Sequence, residues 1–403
     1  DKVPFNRTGA SRQKAADKVP LPAAFDVRAG GTMSTQEAFG RVLNDLGRGD
    51  SELARHIVTT SPDVTVSTNL GGWVNQRGIF NRADREDVFH SEKVVSMQKW
   101  ALSRNGQHIE LGIAENNMFL LLAAFGLSAP LFGTRLLPVG TVYDPFIARG
   151  LDALNYACYQ DARFMLAGTP SGVSLAPEGG AHQSISTPLI GIGQPGLTLF
   201  EPAYADELAE IMLWGFGHMQ DADGGSLYMR LSTRAIEQRE REMNETLRGD
   251  ILHGAYWRAA PAPDAALALA YCGALAAEAE EAYQALLEDI PGAGLLAVTS
   301  PDRLHGDWLA ARRARSAGEG AGAPSHIETL LGQLKPGAAL ISVLDGHPAT
   351  LSWLGSVAGH RPYPLGVTSF GESGDANALY RKHAIDTDAI LDMAALACLD
   401  AAR

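Results

Sequence analysis

The sequence of 403 residues is poor in cysteine, with three in all. Cys158, Cys272 and Cys398 form neither a CxxC pair nor the spacing of a zinc knuckle, which argues against a dithiol redox centre and a cysteine-based zinc module. Because an odd and sparse set of cysteines is typical of a reducing compartment, we expect the protein in the cytoplasm.

Long apolar runs and a secretory signal are also lacking. No stretch of about 18 apolar residues occurs, as a membrane-spanning helix requires, and the start shows no charged–apolar–small pattern. Basic residues number 33 against 46 acidic ones, and the net charge of −13 argues against nonspecific binding of nucleic acid. We therefore expect no nucleic-acid partner and no membrane partner.

Residues 1–35 have little hydrophobic periodicity and contain DKVP twice, from Asp1 and from Asp17. This composition predicts an extension or linker before the first domain. Because the chain starts with Asp1 and not with Met, we also expect a processed or partial product.

Two blocks, 36–248 and 262–403, alternate short apolar runs with stretches of helical periodicity. Strands are predicted at 57–60, 108–113, 136–139, 164–168, 197–200 and 226–231, and in the second block at 266–271, 294–298, 339–344 and 364–367. Strands that alternate with helices indicate parallel sheets covered on both faces. The sequence thus predicts an α/β protein of two doubly wound domains with mostly parallel sheets. The Gly-rich segment 314–323 predicts a mobile loop.

One carboxylate lies where a predicted strand turns into an apolar helix. The segment HIELGIAENNMFLLLAAFGL (108–127) places Glu115 at this junction. The helix dipole stabilises the carboxylate there, whereas apolar surroundings favour the neutral acid. Such opposing influences are typical of a carboxyl group used in proton transfer, although an ordinary glutamate at a helix start is the simpler interpretation of this residue alone.

Two further segments follow predicted strands and carry aromatic and imidazole groups. LLPVGTVYDPFIARGLDAL (136–154) places Tyr143 and Phe146 at a helix start, and GTPSGVSLAPEGGAHQSISTPL (168–189) is a long loop with Glu178 and His182. Sites of parallel α/β folds lie at the carboxyl ends of strands, and long loops there are usually functional. Taken singly, the aromatic residues are as well explained as core and the histidine as a solvated side chain.

Together these segments resemble the pyrimidine-binding domain of the transketolase superfamily, and most closely that of the homodimeric pyruvate dehydrogenase E1 family. GIAENNM (112–118) is similar to the family's catalytic-glutamate motif, which implies that Glu115 binds the pyrimidine of thiamine diphosphate. The resemblance also implies that Phe146 stacks on that ring and that Tyr143 and His182 are catalytic residues on the substrate side. SPDVTVSTN (61–69) is similar to the domain's first strand and loop, which places Asp63 near the cofactor ring.

The second block resembles the transketolase C-terminal domain through GVTSFGESGDANALYRKHAIDTDAI (366–390). The family's GDG motif, which holds the diphosphate through Mg²⁺, is lacking; for example, the Gly-Asp pairs at 306–307 and 374–375 are followed by Trp308 and Ala376. The resemblance therefore implies that this chain itself binds no metal. The binding site for thiamine diphosphate and Mg²⁺ would be completed by an alpha-like diphosphate-binding subunit or by a missing N-terminal half.

The resemblance implies the beta-like part of an E1 enzyme, in a homo- or hetero-oligomer. Its activity would be the thiamine-diphosphate-dependent decarboxylation of a 2-oxo acid, by default pyruvate, with reductive acylation of a lipoyl group on an E2 acyltransferase partner. One alternative is a transketolase-type ketol transferase, in which Arg230 and Arg234 of YMRLSTR (228–234) would bind a sugar phosphate, although surface ion pairing explains both equally well. Another is a non-catalytic subunit that completes a partner's site.

Overall fold

A computed structural model of the chain describes residues 14–27, 30–83, 91–92, 99–318 and 322–402. The strands in these ranges are β1 (Thr32–Met33), β2 (Ile57–Ser61), β3 (Ile79–Phe80), β4 (Leu102–Ser103), β5 (His108–Glu110), β6 (Leu137–Val142), β7 (Met165–Gly168), β8 (Leu197–Phe200), β9 (Ser226–Arg230), β10 (Ile236–Glu237), β11 (Ala255–Ala259), β12 (Ala265–Cys272), β13 (Gly294–Val298), β14 (Leu334–Leu344) and β15 (Arg361–Leu365).

The helices in the same ranges are α1 (Thr35–Arg48), α2 (Glu52–His56), α3 (Gly71–Arg77), α4 (Glu115–Gly126), α5 (Ser128–Phe132), α6 (Leu151–Tyr159), α7 (Thr187–Gly193), α8 (Ala205–His218), α9 (Glu245–His253), α10 (Ala276–Asp289), α11 (Pro301–Ser316), α12 (His326–Leu331), α13 (Ala349–Ser352), α14 (Ala376–Lys382) and α15 (Thr387–Ala401). Short 3-10 helices lie at Asp144–Gly150, Gly172–Glu178, Gly180–His182, Gly273–Leu275 and Trp353–Ser356. No helix in the described ranges has the length and apolarity needed to cross a membrane.

The larger sheet has eight strands within the described residues, in the order β4-β3-β5-β2-β6-β7-β9-β8. Every neighbouring pair is parallel. Alternate side chains of a strand point to opposite faces, so Met165 packs in the core beneath α1 and α8 while the next residue, Leu166, packs beneath α4 and α6. The two covered faces explain why β6, β7 and β9 are buried along their whole length.

The smaller sheet has the order β11-β13-β12-β14-β15, in which β11 runs antiparallel to β13 and the other pairs are parallel. Helices α10 and α15 cover one face, and α11 and α12 contribute Leu304, Trp308 and Ile327 to the core on the other face. The prediction of two doubly wound α/β domains with mostly parallel sheets is confirmed.

Most predicted strand limits differ from those in the structure, and the predicted strand 339–344 begins earlier, at Leu334. The predicted strand 108–113 ends at Glu110, because the next residues turn toward the helix that begins at Glu115. The predicted loop 314–323 is wrong at its start, because α11 continues through Ser316, and residues 319–321 lie outside the described residues. The predicted strands 197–200 and 294–298 match β8 and β13 at both ends.

The predicted extension is anchored to the first block at Val19. Val19 is buried, and its N–H donates to Oε1 of Gln220 at 2.7 Å. Strand β1 pairs with β10, so the described end of the extension is joined to the first block. The first DKVP copy lies in residues 1–13, outside the described residues.

Candidate cofactor and substrate site

The residues singled out from the sequence follow four strands that are consecutive in the larger sheet, β5, β2, β6 and β7. Glu115 follows β5, Asp63 follows β2, Tyr143 and Phe146 follow β6, and the loop with His182 follows β7. Because these strands are parallel, their carboxyl ends lie at one edge of the sheet, where sites of this fold class form.

Glu115 is the first residue of α4, and its carboxylate is buried, with 7% of the residue exposed. Ala114, the residue before it, offers no side-chain cap, so the helix start carries free backbone N–H groups and a partial positive charge. Met118, Phe119 and Leu122 continue the helix into the core. The structure therefore places a carboxylate at the margin of an apolar interior, as the sequence predicted.

Three rings form an aromatic cluster next to this carboxylate. The rings of Tyr143 and Phe146 are stacked and nearly parallel, with an interplanar angle of 14° and centroids 6.1 Å apart. The imidazole of His182 lies edge-on to both, 5.9 Å from the ring of Tyr143 and 5.3 Å from that of Phe146. Nδ1 of His182 is buried and has no hydrogen-bond partner among the described residues. The structure thus brings together the three side chains that the sequence had only placed in order.

Arg149 connects the carboxylate to the aromatic cluster, although no motif in the sequence points to this residue. Its Nη1 lies 2.6 Å from Oε1 of Glu115, and its guanidinium carbon lies 3.7 Å from the centroid of Phe146. It follows Phe146 by three residues in the 3-10 segment Asp144–Gly150, which brings both side chains to one side. Gly150 allows α4 to approach this segment, because a Cβ atom there would overlap Phe119.

A second buried group of charges lies beneath the site and joins the two halves of the chain. Arg230 is 1% exposed and donates to Asp144, to Glu201 at 2.6 Å and to the carbonyl of Asp345 at 2.7 Å. Asp144 also accepts hydrogen bonds from Ser184 and Thr187 in the histidine loop and from Tyr228. Asp144 starts the segment that carries Phe146, so this cluster fixes the floor of the site.

The arginines considered for a sugar phosphate are therefore not at the mouth of the site, and surface ion pairing is also wrong for them. Arg230 is enclosed by carboxylates, and Arg234 pairs with Glu278 and donates to the carbonyl of Ala274. Strand β9 lies between β7 and β8, so its last residue enters the interior and not solvent.

Burial is the largest influence on the pKa values of Glu201 and Asp345 in this cluster. It raises the pKa of Glu201 to about 7, an effect that the charge of Arg230 opposes and that Asp345 and Asp144 reinforce. Burial likewise raises the pKa of Asp345, against the effect of Arg230 and of two backbone N–H groups. One positive charge does not compensate three buried carboxylates, which is why a proton is retained near neutral pH.

The histidine loop is attached at both of its ends. Gly172 donates its N–H to Oγ of Ser184 at 2.9 Å, and Asp345 accepts the N–H groups of Val173 and Ser174 at 2.8 and 3.2 Å. Gly172 has a φ of +65°, and a Cβ atom there would overlap the carboxylate of Asp345, so this position requires glycine. Glu178 lies 3.5 Å from the hydroxyl of Tyr143, across the mouth of the loop.

Asp63 lies in the loop after β2 and is exposed, with a φ of +66°. Its N–H donates to Oε1 of Glu110 at 2.7 Å. Burial would raise the pKa of Glu110, but bonds from His108, Thr65 and this N–H lower it below the usual value. The loop is thus held by an ionised carboxylate, while a role of the Asp63 side chain toward a cofactor stays a prediction.

The residues at this edge suit an aminopyrimidine ring. Glu115 offers a carboxylate for a hydrogen bond, and Phe146 offers a ring face that already carries the planar guanidinium of Arg149. The imidazole of His182, whose Nδ1 has no partner within the described ranges, lies 5.3 Å from the ring of Phe146. In the described residues, no three His, Cys, Asp or Glu side chains converge in a way that would hold a metal ion.

The fold is that of the transketolase superfamily. The model of the pyruvate dehydrogenase E1 component middle domain matches residues 21–238, and the chain belongs to this family of thiamine-diphosphate-dependent enzymes. The pyruvate dehydrogenase E1 component of Mycolicibacterium smegmatis is 27% identical over 376 residues, which cover 89% of this chain and 38% of that protein. The chain thus spans well under half the length of this relative.

Solved structures show the same fold at low sequence identity. Transketolase from Campylobacter jejuni subsp. jejuni aligns with a TM-score of 0.66 at 18% identity, over 92% of this chain and 47% of that chain. A structure described as a split gene transketolase, inactive beta4 tetramer, aligns with a TM-score of 0.59 at 18% identity, over 91% of this chain and 98% of that chain.

Proposed function

We propose that this chain is the beta-like part of a 2-oxo-acid dehydrogenase E1, with pyruvate as the default substrate. Residues 36–248 would form the pyrimidine-binding domain and residues 262–403 a transketolase C-terminal-like domain. The acyl group would pass to a lipoyl group on an E2 acyltransferase, in the cytoplasm. The observation that carries the proposal is the buried carboxylate of Glu115 beside the stacking face of Phe146, joined by Arg149.

Each side chain has a role that its surroundings support. Thiamine diphosphate, when bound, supplies the carbanion chemistry of the reaction. Glu115 would hold a hydrogen bond at N1′ of the pyrimidine, where an apolar helix behind it strengthens the bond. Phe146 would fix the ring by stacking, and His182 and Tyr143 would donate hydrogen bonds to the substrate oxygen that gains charge. Asp63 would contact the cofactor from the neighbouring strand.

A partner domain would hold the diphosphate and Mg²⁺, because the sequence contains no GDG motif. Large apolar side chains surround the proposed site on the outside: Ile113 is 79% exposed, and Leu120, on α4, is 54% exposed. An alpha-like diphosphate-binding domain seated there, as a separate subunit or as an N-terminal half, would bury these side chains and close the site in a homo- or hetero-oligomer. The inactive tetramer of the split gene transketolase, which has this chain's extent, supports such a division.

Calorimetric titration of thiamine diphosphate with Mg²⁺ tests this division. The chain alone should show no tight binding, and a candidate diphosphate-binding domain should make binding appear. Tight binding by the chain alone would mean that it contains a diphosphate and metal site of its own, and the divided site would be wrong. Decarboxylation of pyruvate and acylation of a lipoyl acceptor by the reconstituted complex then test the substrate.

Replacement of Glu115 by Ala separates a catalytic subunit from one that only completes a fold. The reconstituted complex should lose activity by about 10²-fold or more, because the hydrogen bond to the pyrimidine is lost. Glu37→Ala is the matched control, since this glutamate pairs with Arg41 on the surface of α1 and should leave activity unchanged. Full activity of the Glu115→Ala complex would contradict a catalytic role for this chain.

A further inference from the structure

Arg149 makes the same two contacts that the proposed function assigns to the pyrimidine ring. Its planar guanidinium lies over the face of Phe146 at 3.7 Å and bonds to Glu115 at 2.6 Å. A planar group with N–H donors in its edge imitates the form of an aminopyrimidine that carries a proton on N1′, in both stacking and hydrogen bonding. The guanidinium and the ring would therefore compete for one place.

We propose that Arg149 is a placeholder that occupies the pyrimidine position and leaves it when the cofactor binds. This inference depends on the proposed function, because it names the step that precedes cofactor binding at the same site. A buried carboxylate without a partner is costly, and Arg149 removes that cost while the site holds no cofactor. The ion pair thus neutralises the Glu115 carboxylate among the apolar side chains that surround it.

The exposure of Arg149 shows why the exchange is feasible. Half of its side chain is accessible to solvent, whereas 8% of the Glu115 side chain is accessible. A half-exposed guanidinium recovers most of its hydration when it swings outward, so the pair is weak enough to be displaced. The carboxylate cannot leave in the same way, because its helix is anchored in the core through Met118 and Phe119. The arginine is the moving partner.

Arg149 lies in a short 3-10 segment, so its inward conformation, bonded to Glu115, and its outward conformation differ only locally. Arg149 and Phe146 lie on the segment Asp144–Gly150, whose start is fixed by the buried bonds of Asp144. A rotation of the Arg149 side chain therefore frees the face of Phe146 without moving the ring. The placeholder lowers the apparent affinity for the cofactor by the free energy of the contacts that must first be broken.

The test uses the full chain and the fragment 4-amino-5-hydroxymethyl-2-methylpyrimidine, which needs neither the metal nor a partner domain. Its dissociation constant is measured by ligand-observed NMR for the wild type, Arg149→Gln and Glu115→Gln. Arg149→Gln should bind the fragment about tenfold more tightly, equivalent to ~1.4 kcal/mol, and Arg149→Lys should lie between, because lysine keeps the charge without the planar face. Glu115→Gln should bind more weakly. Arg41→Gln, which removes an exposed pair with Glu37, is the control and should behave as the wild type.

A second measurement follows the arginine itself. Modification by phenylglyoxal, read by mass spectrometry, should be slow at Arg149 in the wild type and several times faster in Glu115→Gln. Addition of the fragment should accelerate it, because the ligand expels the guanidinium into solvent. Equal or weaker binding by Arg149→Gln, with binding still dependent on Glu115, would overturn the placeholder and leave the proposed function intact. Fragment binding that is absent in every variant, or indifferent to Glu115, would overturn both.

Discussion

Replacement of Glu201 by Gln tests whether the buried charge cluster retains a proton near neutral pH. Glu201 follows β8 and is 3% exposed; its Oε1 accepts from Arg230, and its Oε2 has no partner among the described residues. Burial, the largest influence, raises its pKa to about 7. Glutamine has nearly the same shape and stays neutral at every pH.

The sign of the effect follows from proton linkage. A carboxyl group with a higher pKa in the folded state makes that state bind more protons than the unfolded chain between the two values. The contribution to stability is therefore fully present below pH 4.5, the ordinary value, and is lost as the pH rises through about 7. At about 1.4 kcal/mol per pKa unit, this loss amounts to ~3 kcal/mol.

Urea unfolding followed by tryptophan fluorescence at several pH values between 4.5 and 8 measures this difference. Relative to Glu201→Gln, the wild type should lose about 3 kcal/mol of unfolding free energy across this range. Glu37→Gln is the control, because this glutamate lies on the surface of α1, and its difference from the wild type should stay flat. Parallel pH profiles for the wild type and Glu201→Gln would refute a buried, protonated carboxyl group.

Three further variants probe the floor and the face of the site. Arg230→Met should lower the unfolding free energy by about 3–5 kcal/mol, since it leaves buried carboxylates without their cation, and urea unfolding that matches the wild type would contradict this. Gly172→Ala should be more destabilising than Gly337→Ala in the same assay, because both have positive φ but only Gly172 faces the carboxylate of Asp345; equal losses would exclude the overlap. Phe146→Ala should weaken thiamine diphosphate binding by the reconstituted complex by ~1 kcal/mol in calorimetry, and unchanged affinity would contradict stacking.

The layers of the fold could be predicted because buried parallel strands are mostly apolar. Leu197–Phe200 and Gly294–Val298 are such runs, and their limits were predicted without error. Strands β3 and β4 were missed because each has two residues, too few to show a period. Strand β11 was missed because it joins the sheet antiparallel at an edge, outside the alternation that indicated the other strands.

The candidate residues of the site could be predicted from the sequence, but the contacts between them could not. Motif order indicated Glu115, Tyr143, Phe146 and His182, and the structure brings the last three within contact of one another. Arg149 was missed because a lone arginine in a surface turn is ordinarily solvated, and only the fold places it over a ring and against a carboxylate. Arg230 was misjudged for the opposite reason, since an arginine at a strand end resembles a surface residue until the neighbouring strands enclose it.

The two-sided attachment of the histidine loop makes His182 dependent on the second half of the chain. The carboxylate of Asp345 accepts hydrogen bonds from the backbone N–H groups of Val173 and Ser174. The carbonyl of Glu372 accepts one from Nε2 of Gln183 at 3.0 Å. A shortened chain that ends at residue 238, the limit of the matched family model, would lose both attachments. In such a chain the bonds of Ser184 and Thr187 to Asp144 would remain, but the start of the loop and Gln183 would lose their partners, so His182 would be held less firmly at the site.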